Sequence, residues 1–195
     1  MIYLVRHGET AFNAQGRQQG RLDSPLTAIG EAQAAAVGRL LAGLVGKPDG
    51  WRLVASPLGR TQATAAIIGK TLRLPIETDP RVTEISFGEW DGRLRDELAL
   101  EHPEAFASKE WRFSAPGGET YDDVHGRLSE WLGSLPPEPD RKVIVVSHGG
   151  SGRVLRGAFV GLSPSAIWEL ETPQDAVYRL ANGSIERFDC EPAER

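Results

Sequence analysis

A three-layer α/β/α sandwich around a mixed, mostly parallel sheet is the fold class this sequence predicts. Three observations carry it. Short apolar runs alternate with longer segments of helical spacing; the clearest runs are β-branched; and the chain closes on two extended runs joined by Asn182-Gly183. The first run, Ile2 to Val5, reads as a buried strand. Pro25 and Thr27 punctuate the start of a helix, with Thr27 as N-cap and Val37, Leu40, Leu41 and Leu44 along one face. Leu53 to Ala55 is the second strand, followed by Ser56-Pro57 and an alanine-rich helix carrying Ala63, Ala66 and Ile67. An extended stretch near Pro75 to Thr78 comes next. Residues 89–118 are the least regular part and read as a lid-like insertion, with Trp90, Phe106, Trp111 and Phe113 among charges. Thr120 and Asp123 make a capping-box start to a helix lined by Val124, Leu128, Leu132 and Leu135. Val143 to Val146 is a buried strand, and Arg153 to Phe159 the helix after it. Val177–Leu180 and Ile185–Phe188 form the closing hairpin. No repeat or linker divides the 195 residues, so one domain, 1–195, is expected.

Composition narrows the function. At 40% hydrophobic and 25% charged residues the chain can bury a full core, and a net charge of −5 argues against a nucleic-acid or anionic-membrane surface. The single cysteine, Cys190, excludes an internal disulfide and a multi-cysteine zinc site, and reads as an inert thiol. No basic stretch followed by a long apolar run stands at the N-terminus. The run Ala34 to Val45 carries Arg39 and is too short to span a bilayer, so a cytoplasmic protein is the default expectation.

Open α/β sheets place ligands beyond the carboxyl ends of their strands. That rule selects Arg6-His7-Gly8, Ser56 to Thr61, and Ser147-His148-Gly149-Gly150. Two of these carry a histidine followed by glycine, which lets a ligand approach the backbone and leaves amides free for anions. Arg6 precedes the first histidine, and Arg60 stands in the first turn of a helix. Singly, each residue has an ordinary structural reading. Together, two histidines and two arginines at strand ends suit a phosphoryl group, whose oxygens match guanidinium forks and whose phosphorus a neutral imidazole can attack. The set lacks a proton donor, and Glu84, between an extended segment and the irregular region, can reach the same place.

Leu4-Val5-Arg6-His7-Gly8-Glu9-Thr10 resembles the signature of the histidine phosphatase superfamily, the phosphoglycerate-mutase-like proteins. The resemblance continues in order through Asn13, Pro25-Leu26-Thr27 with Gly30, Ser56-Pro57-Leu58-Gly59-Arg60-Thr61, Glu84 with Gly88, Trp90 and Gly92, and Ser147-His148-Gly149-Gly150. It implies a phosphoglycerate-mutase-like fold and His7 as a nucleophile that passes through phosphohistidine. Arg6, Arg60 and His148 would hold the phosphoryl oxygens, helped by Asn13 and the Gly149 amide. Glu84 would protonate the leaving group and then deprotonate water, which requires a neutral His7 and a protonated Glu84 at the start. No metal and no cofactor are implied. Scattered Arg93, Arg95, Lys109 and Arg112 in the lid, and Gly150-Ser151 after the second His-Gly, look more phosphatase-like than mutase-like. Phosphoglycerate-mutase-type transfer remains the alternative, and a catalytically silent scaffold binding a phosphorylated ligand is the rival class. The expected partner is a small phosphorylated metabolite, with a homodimer open; the aromatics of the lid either line an apolar entrance or pack the lid on its domain.

Overall fold

The N-terminal apolar run forms β1 (Ile2–Arg6) in a computed structural model of the chain, which describes residues 1–191. Its side chains alternate, so Ile2 and Leu4 enter one apolar layer while Tyr3 and Val5 enter the other. A single helical turn, α1 (Ala11–Ala14), leads to α2 (Ala28–Val45). Thr27 caps α2 as expected, its hydroxyl accepting from the Gly30 amide at 3.1 Å. Then follow β2 (Arg52–Ala55), α3 (Gly59–Leu72), β3 (Ile76–Thr78) and a 3-10 turn over Pro80–Val82. Two short helices, α4 (Arg95–Glu101) and α5 (Pro103–Phe106), precede α6 (Tyr121–Gly133), which opens on the expected Thr120–Asp123 capping box. The chain ends through β4 (Val143–Ser147), α7 (Gly149–Val160), β5 (Ala176–Ala181) and β6 (Ser184–Asp189).

The sheet has the order β3-β2-β4-β1-β5-β6. Strands β1 to β4 run parallel, and the closing hairpin is antiparallel, giving the mixed sheet the sequence predicts. Asn182 and Gly183 both have positive φ, at 51° and 69°, as a two-residue hairpin turn requires. On one face Val37 and Leu41 of α2 pack with Ala65 and Ile68 of α3. On the other lie Val124, Leu128 and Trp131 of α6, Val154 and Leu155 of α7, and the aromatics of the irregular region. Three layers result. The topology matters for chemistry because β1 and β4 are neighbours in register, Arg6 opposite Ser147, so the residues after each strand emerge side by side.

Some elements depart from the sequence reading. Helix α7 begins at Gly149, not at Arg153, directly on His148 as an extended N-cap. Its first turn, Gly-Gly-Ser-Gly, has poor intrinsic helicity, and a carboxylate at its N-terminus compensates. Helix α3 buries Thr61, Thr64, Ala65, Ile68 and Leu72, while Ala63 and Ala66 face solvent. Helix α2 is longer than the run Ala34 to Val45; by length and composition it could cross a membrane, but its Val37 and Leu41 are core residues under the sheet. In the irregular region Trp90 and Trp111 are buried, as is Phe87 just before it, and Phe106 stacks on Trp111 at 4.3 Å. These rings anchor the segment on the sheet face rather than lining an entrance, since stacking one on another removes their faces from any ligand.

Candidate active site

His7 and His148 follow the paired carboxyl ends of β1 and β4, and their rings meet edge to face with centroids 5.2 Å apart. Both are buried. The His7 amide donates to Ser147 O at 3.0 Å, which extends the ladder by one step and fixes the ring's origin. His7 Nδ1 lies 2.8 Å from Gly8 O. A carbonyl only accepts, so Nδ1 carries the proton and Nε2 keeps a bare lone pair. Burial lowers the His7 pKa well below its ordinary value, aided by His148, Arg6 and Arg60, so the ring is neutral at pH 7.

His148 shares a 2.8 Å hydrogen bond between Nε2 and Ser56 Oγ, while its Nδ1 is buried without a partner. With the Ser56 hydroxyl as donor, Nδ1–H is a free donor at the site. Burial, followed by the charges of Arg60 and Arg127, also lowers the His148 pKa well below normal.

Arg6 donates Nη1 to Thr172 O at 2.6 Å, and its Nε has no partner. Desolvation pulls its pKa down to about 10, which leaves it charged. Arg60 stands in the first turn of α3, as expected, and is itself buried. It donates Nη1 to Leu22 O and Asp23 Oδ1, and Nη2 to Gly20 O. Those bonds brace the 20–23 loop and leave the buried Nε and one Nη2 hydrogen as a fork for an anion.

Glu84 joins the same cluster. Serine and glycine amides at the start of α7 point at it: Ser151 N at 2.8 Å and Gly150 N at 3.1 Å, with Ile85 N at 3.0 Å. Burial alone would raise its pKa, but the amides of Ser151, Ile85 and Gly150, and then Arg60, outweigh burial and lower it. The requirement of a protonated Glu84 at the start is therefore not met in the free protein: three N–H donors hold it as a carboxylate. Gly150 is needed here, because a Cβ would lie 2.8 Å from Glu84 Oε1 and 2.7 Å from Ile85 Cδ1.

Gly8 has a different purpose from the one its sequence position suggests. Its amide donates to Thr64 Oγ1 at 3.1 Å, and a Cβ would lie 2.2 Å from Gly30 O. It permits two backbones to cross, and no ligand approach explains it. At Gly149 the N–H has no partner among the described residues, and Arg6 Nε would lie 3.4 Å from a Cβ there. Asn13 is held by its Oδ1, which accepts from Thr10 N at 3.2 Å and Gln174 Nε2 at 3.1 Å, so its amide nitrogen is left to donate. Among the described residues, no group of three or more His, Cys, Asp or Glu could hold a metal ion. Cys190 lies outside this cluster, its thiol pushed up to about 11 by burial.

Residues that sequence reasoning passed over support the cluster. Gln174 orients Asn13, Ser56 orients His148, and Arg127 donates to Arg81 O, Thr83 O and Glu84 O, pinning the backbone that presents Glu84. Only Ser56 stood inside a recognised motif; Gln174 and Arg127 are brought in by tertiary contacts with no local signal.

Two buried neutral histidines make stability depend on pH. An unfolded histidine titrates near 6.5, and both folded values lie well below that. Above 6.5 neither state binds the proton. Below it only the unfolded chain does, so stability falls with pH until the folded values are passed. Each ring can contribute up to about 1.4 kcal/mol per pH unit. The urea midpoint should fall clearly between pH 7.5 and 5.5, and His148→Asn should flatten that slope. A midpoint constant over this range would mean that the folded rings take up protons as readily as the unfolded ones.

The chain matches the family model described as "Histidine phosphatase superfamily (branch 1)" over residues 2–187. It is 36% identical over 198 aligned positions to a protein of Serratia proteamaculans named "Probable phosphoglycerate mutase GpmB", covering 96% of this chain and 84% of that protein. Mycobacterial glucosyl-3-phosphoglycerate phosphatase, solved with VO3, superposes with a TM-score of 0.78 at 29% identity, covering 96% of each chain. The alpha-ribazole phosphatase from Shigella flexneri gives 0.79 at 25% identity, covering 97% of this chain and 95% of that one. The chain belongs to the histidine phosphatase superfamily, branch 1.

Proposed function

We propose that this chain is a phosphomonoester hydrolase that works without a metal, through phosphohistidine at His7, on a small phosphorylated metabolite in the cytoplasm. The observation that carries the reading is the tautomer of His7: a neutral buried ring with Nδ1 tied to Gly8 O and Nε2 bare, beside two guanidinium groups. The two phosphatases it superposes on agree with this reading.

In this mechanism Arg6, Arg60 and His148 Nδ1–H bind the phosphoryl oxygens, with the Asn13 amide and the Gly149 N–H beside them. These cations supply the charge stabilisation that the transferring group needs. His7 Nε2 attacks phosphorus as the ester P–O bond breaks. The substrate brings one proton as its monoanion, and Glu84 relays that proton to the leaving oxygen. Water then attacks phosphohistidine, Glu84 takes a proton from it, and His7 is restored as phosphate leaves. Residues 89–118 serve as a lid over this site.

A mutase reading also has support, since the curated relative carries a mutase name. The scattered arginines of the lid favour water as the acceptor. The wild type should hydrolyse a chromogenic aryl phosphate, retain that activity with a chelator, and release inorganic phosphate from a phosphoglycerate. Isomerised phosphoglycerate as the main product would establish the mutase instead. No turnover of any ester would point to the scaffold.

A further inference from the structure

Two halves of the site lie on separate stretches of chain: Arg60 with the 20–23 loop that it braces, and the segment that presents Glu84. Glu119, two residues before α6, touches both. Its Oε1 accepts from Arg127 Nε at 2.9 Å, and Arg21 Nη2 lies 3.1 Å from the same oxygen. Its Oε2 accepts from Ser86 N at 2.8 Å and from Arg127 Nη2 at 3.2 Å. The Glu119 amide returns a bond to Ser86 O at 3.0 Å. Both carboxylate oxygens are thereby occupied, and the Arg127 fork is bidentate.

Each partner of Glu119 leads to a group of the site. Arg127 also donates to Arg81 O, Thr83 O and Glu84 O, and Ser86 lies two residues beyond Glu84, so the backbone is held on both sides of the carboxylate. Arg21 stands between Gly20 and Leu22, whose carbonyls accept from Arg60 Nη2 at 2.8 Å and Nη1 at 2.7 Å. The Arg21 amide has one further tie, to Asp91 Oδ2 at 3.1 Å, and Asp91 Oδ1 accepts from Phe87 N at 2.9 Å. This is no ordinary surface pair. The side chains of Arg127 and Glu119 are only 16% and 19% exposed, against 47% and 45% for Arg52–Glu77, which joins two adjacent strands and nothing else. Burial would raise the Glu119 pKa, but the Arg127 guanidinium, the Ser86 amide and then the Arg21 charge outweigh it and hold a carboxylate.

We propose that Glu119 is a positioning residue that sets the spacing between the phosphate clamp at Arg60 and the proton-carrying Glu84. It acts through Arg127 on one side and Arg21 on the other. The Glu84 arm rests on the phosphatase reading, whereas the clamp arm needs only anion binding at Arg60. Glu84 must reach the leaving oxygen while phosphate sits against Arg60, so drift of either segment misplaces a proton transfer.

Arg127→Gln, Arg21→Gln and Glu119→Gln separate the two arms when each is assayed on an alkyl and an aryl phosphate and titrated calorimetrically with vanadate. Arg127→Gln should lower kcat on the alkyl ester by about 10- to 100-fold and on the aryl ester by less than about threefold, with vanadate affinity kept. Arg21→Gln should weaken vanadate and raise KM on both esters by roughly three- to tenfold, with the alkyl-to-aryl ratio unchanged. Its effect is the milder because Asp91 still holds the residue 21 amide. Glu119→Gln should show both changes, and adding either arginine substitution to it should cost little more, as a shared partner requires. Should Glu119→Gln fail to fold, the two arginine variants decide by whether their losses split between kcat and KM in this way. Equal losses on both esters in Arg127→Gln, which a merely structural role gives, overturn the proposal, as do losses that add fully in the double variants. If the wild type turns over no ester, the phosphatase reading falls and vanadate alone tests the clamp arm. Weaker binding in Arg21→Gln and Glu119→Gln but not in Arg127→Gln upholds the hold of Glu119 on the clamp; unchanged binding in all three overturns it.

Discussion

His7→Ala should lose turnover of every phosphate ester by at least about 10⁴-fold, because it removes the atom that accepts the phosphoryl group rather than one that helps it. Arg6, Arg60 and His148 would still bind phosphate, so vanadate or inorganic phosphate should still raise the melting temperature of the variant. That separation matters. Loss of turnover with retained anion binding assigns His7 to the chemistry, whereas loss of both means that the fold around the strand ends has collapsed. The wild type, quenched rapidly without acid, should carry phosphate that is labile to acid and stable to base, and the label should map to His7. The geometry makes the regiochemistry specific: Nδ1 is occupied by Gly8 O at 2.8 Å, so the adduct should be on Nε2. Phosphate on a serine or an aspartate, or a His7→Ala variant that still hydrolyses aryl esters, would end this mechanism.

How far the sequence foretold this arrangement differs between its parts. The sheet was legible because β-branched runs and turn residues are local signals, and Asn182-Gly183 forms its turn without outside help. Both histidines were legible because the strand-end rule needs only the strands. The start of α7 was not, since Gly149 to Gly152 are weak helix formers and the helix is held there by the Glu84 carboxylate from a distant segment. Gly8 was misread for a similar reason: its constraint is the Gly30 backbone, which only the packing of α2 brings near. The aromatics of the irregular region could not be divided between core and ligand contacts by composition. Trp90, Trp111 and, outside that region, Trp168 are all core, and Trp111 and Trp168 also carry arginines over their rings. The charge on Glu84 was the furthest from reach. Burial and amide donation act in opposite directions, and the sequence does not reveal how many amides point at one carboxylate.

Glu84→Gln should slow alkyl phosphates by about 10² to 10⁴-fold and aryl phosphates far less, since a phenolate leaves without a proton. Glutamine preserves the shape but turns one oxygen into a donor that faces backbone N–H groups, and it removes the charge at the start of α7. The melting temperature should therefore fall as well, and the alkyl-to-aryl ratio rather than the rate alone reads the proton-transfer role. The pH profile carries the sharper claim. In the free protein Glu84 is a carboxylate, because three amides outweigh its burial, and His7 is neutral, because burial and neighbouring cations lower its pKa. One proton must still reach the leaving oxygen, and it arrives on the substrate, whose second ionisation lies near about 6. For alkyl esters kcat/KM should therefore be flat on the acid side and fall as pH rises above about 6, as the dianion replaces the monoanion. The acid side stays flat below 6.5 because the lowered His7 pKa keeps Nε2 free there. In Glu84→Gln the aryl-ester profile should be flat above about pH 6, since the dianion no longer meets a buried carboxylate and no proton is needed. A kcat/KM for alkyl esters that rises between pH 6 and 8 would show that the dianion is the reacting form and that Glu84 relays no proton.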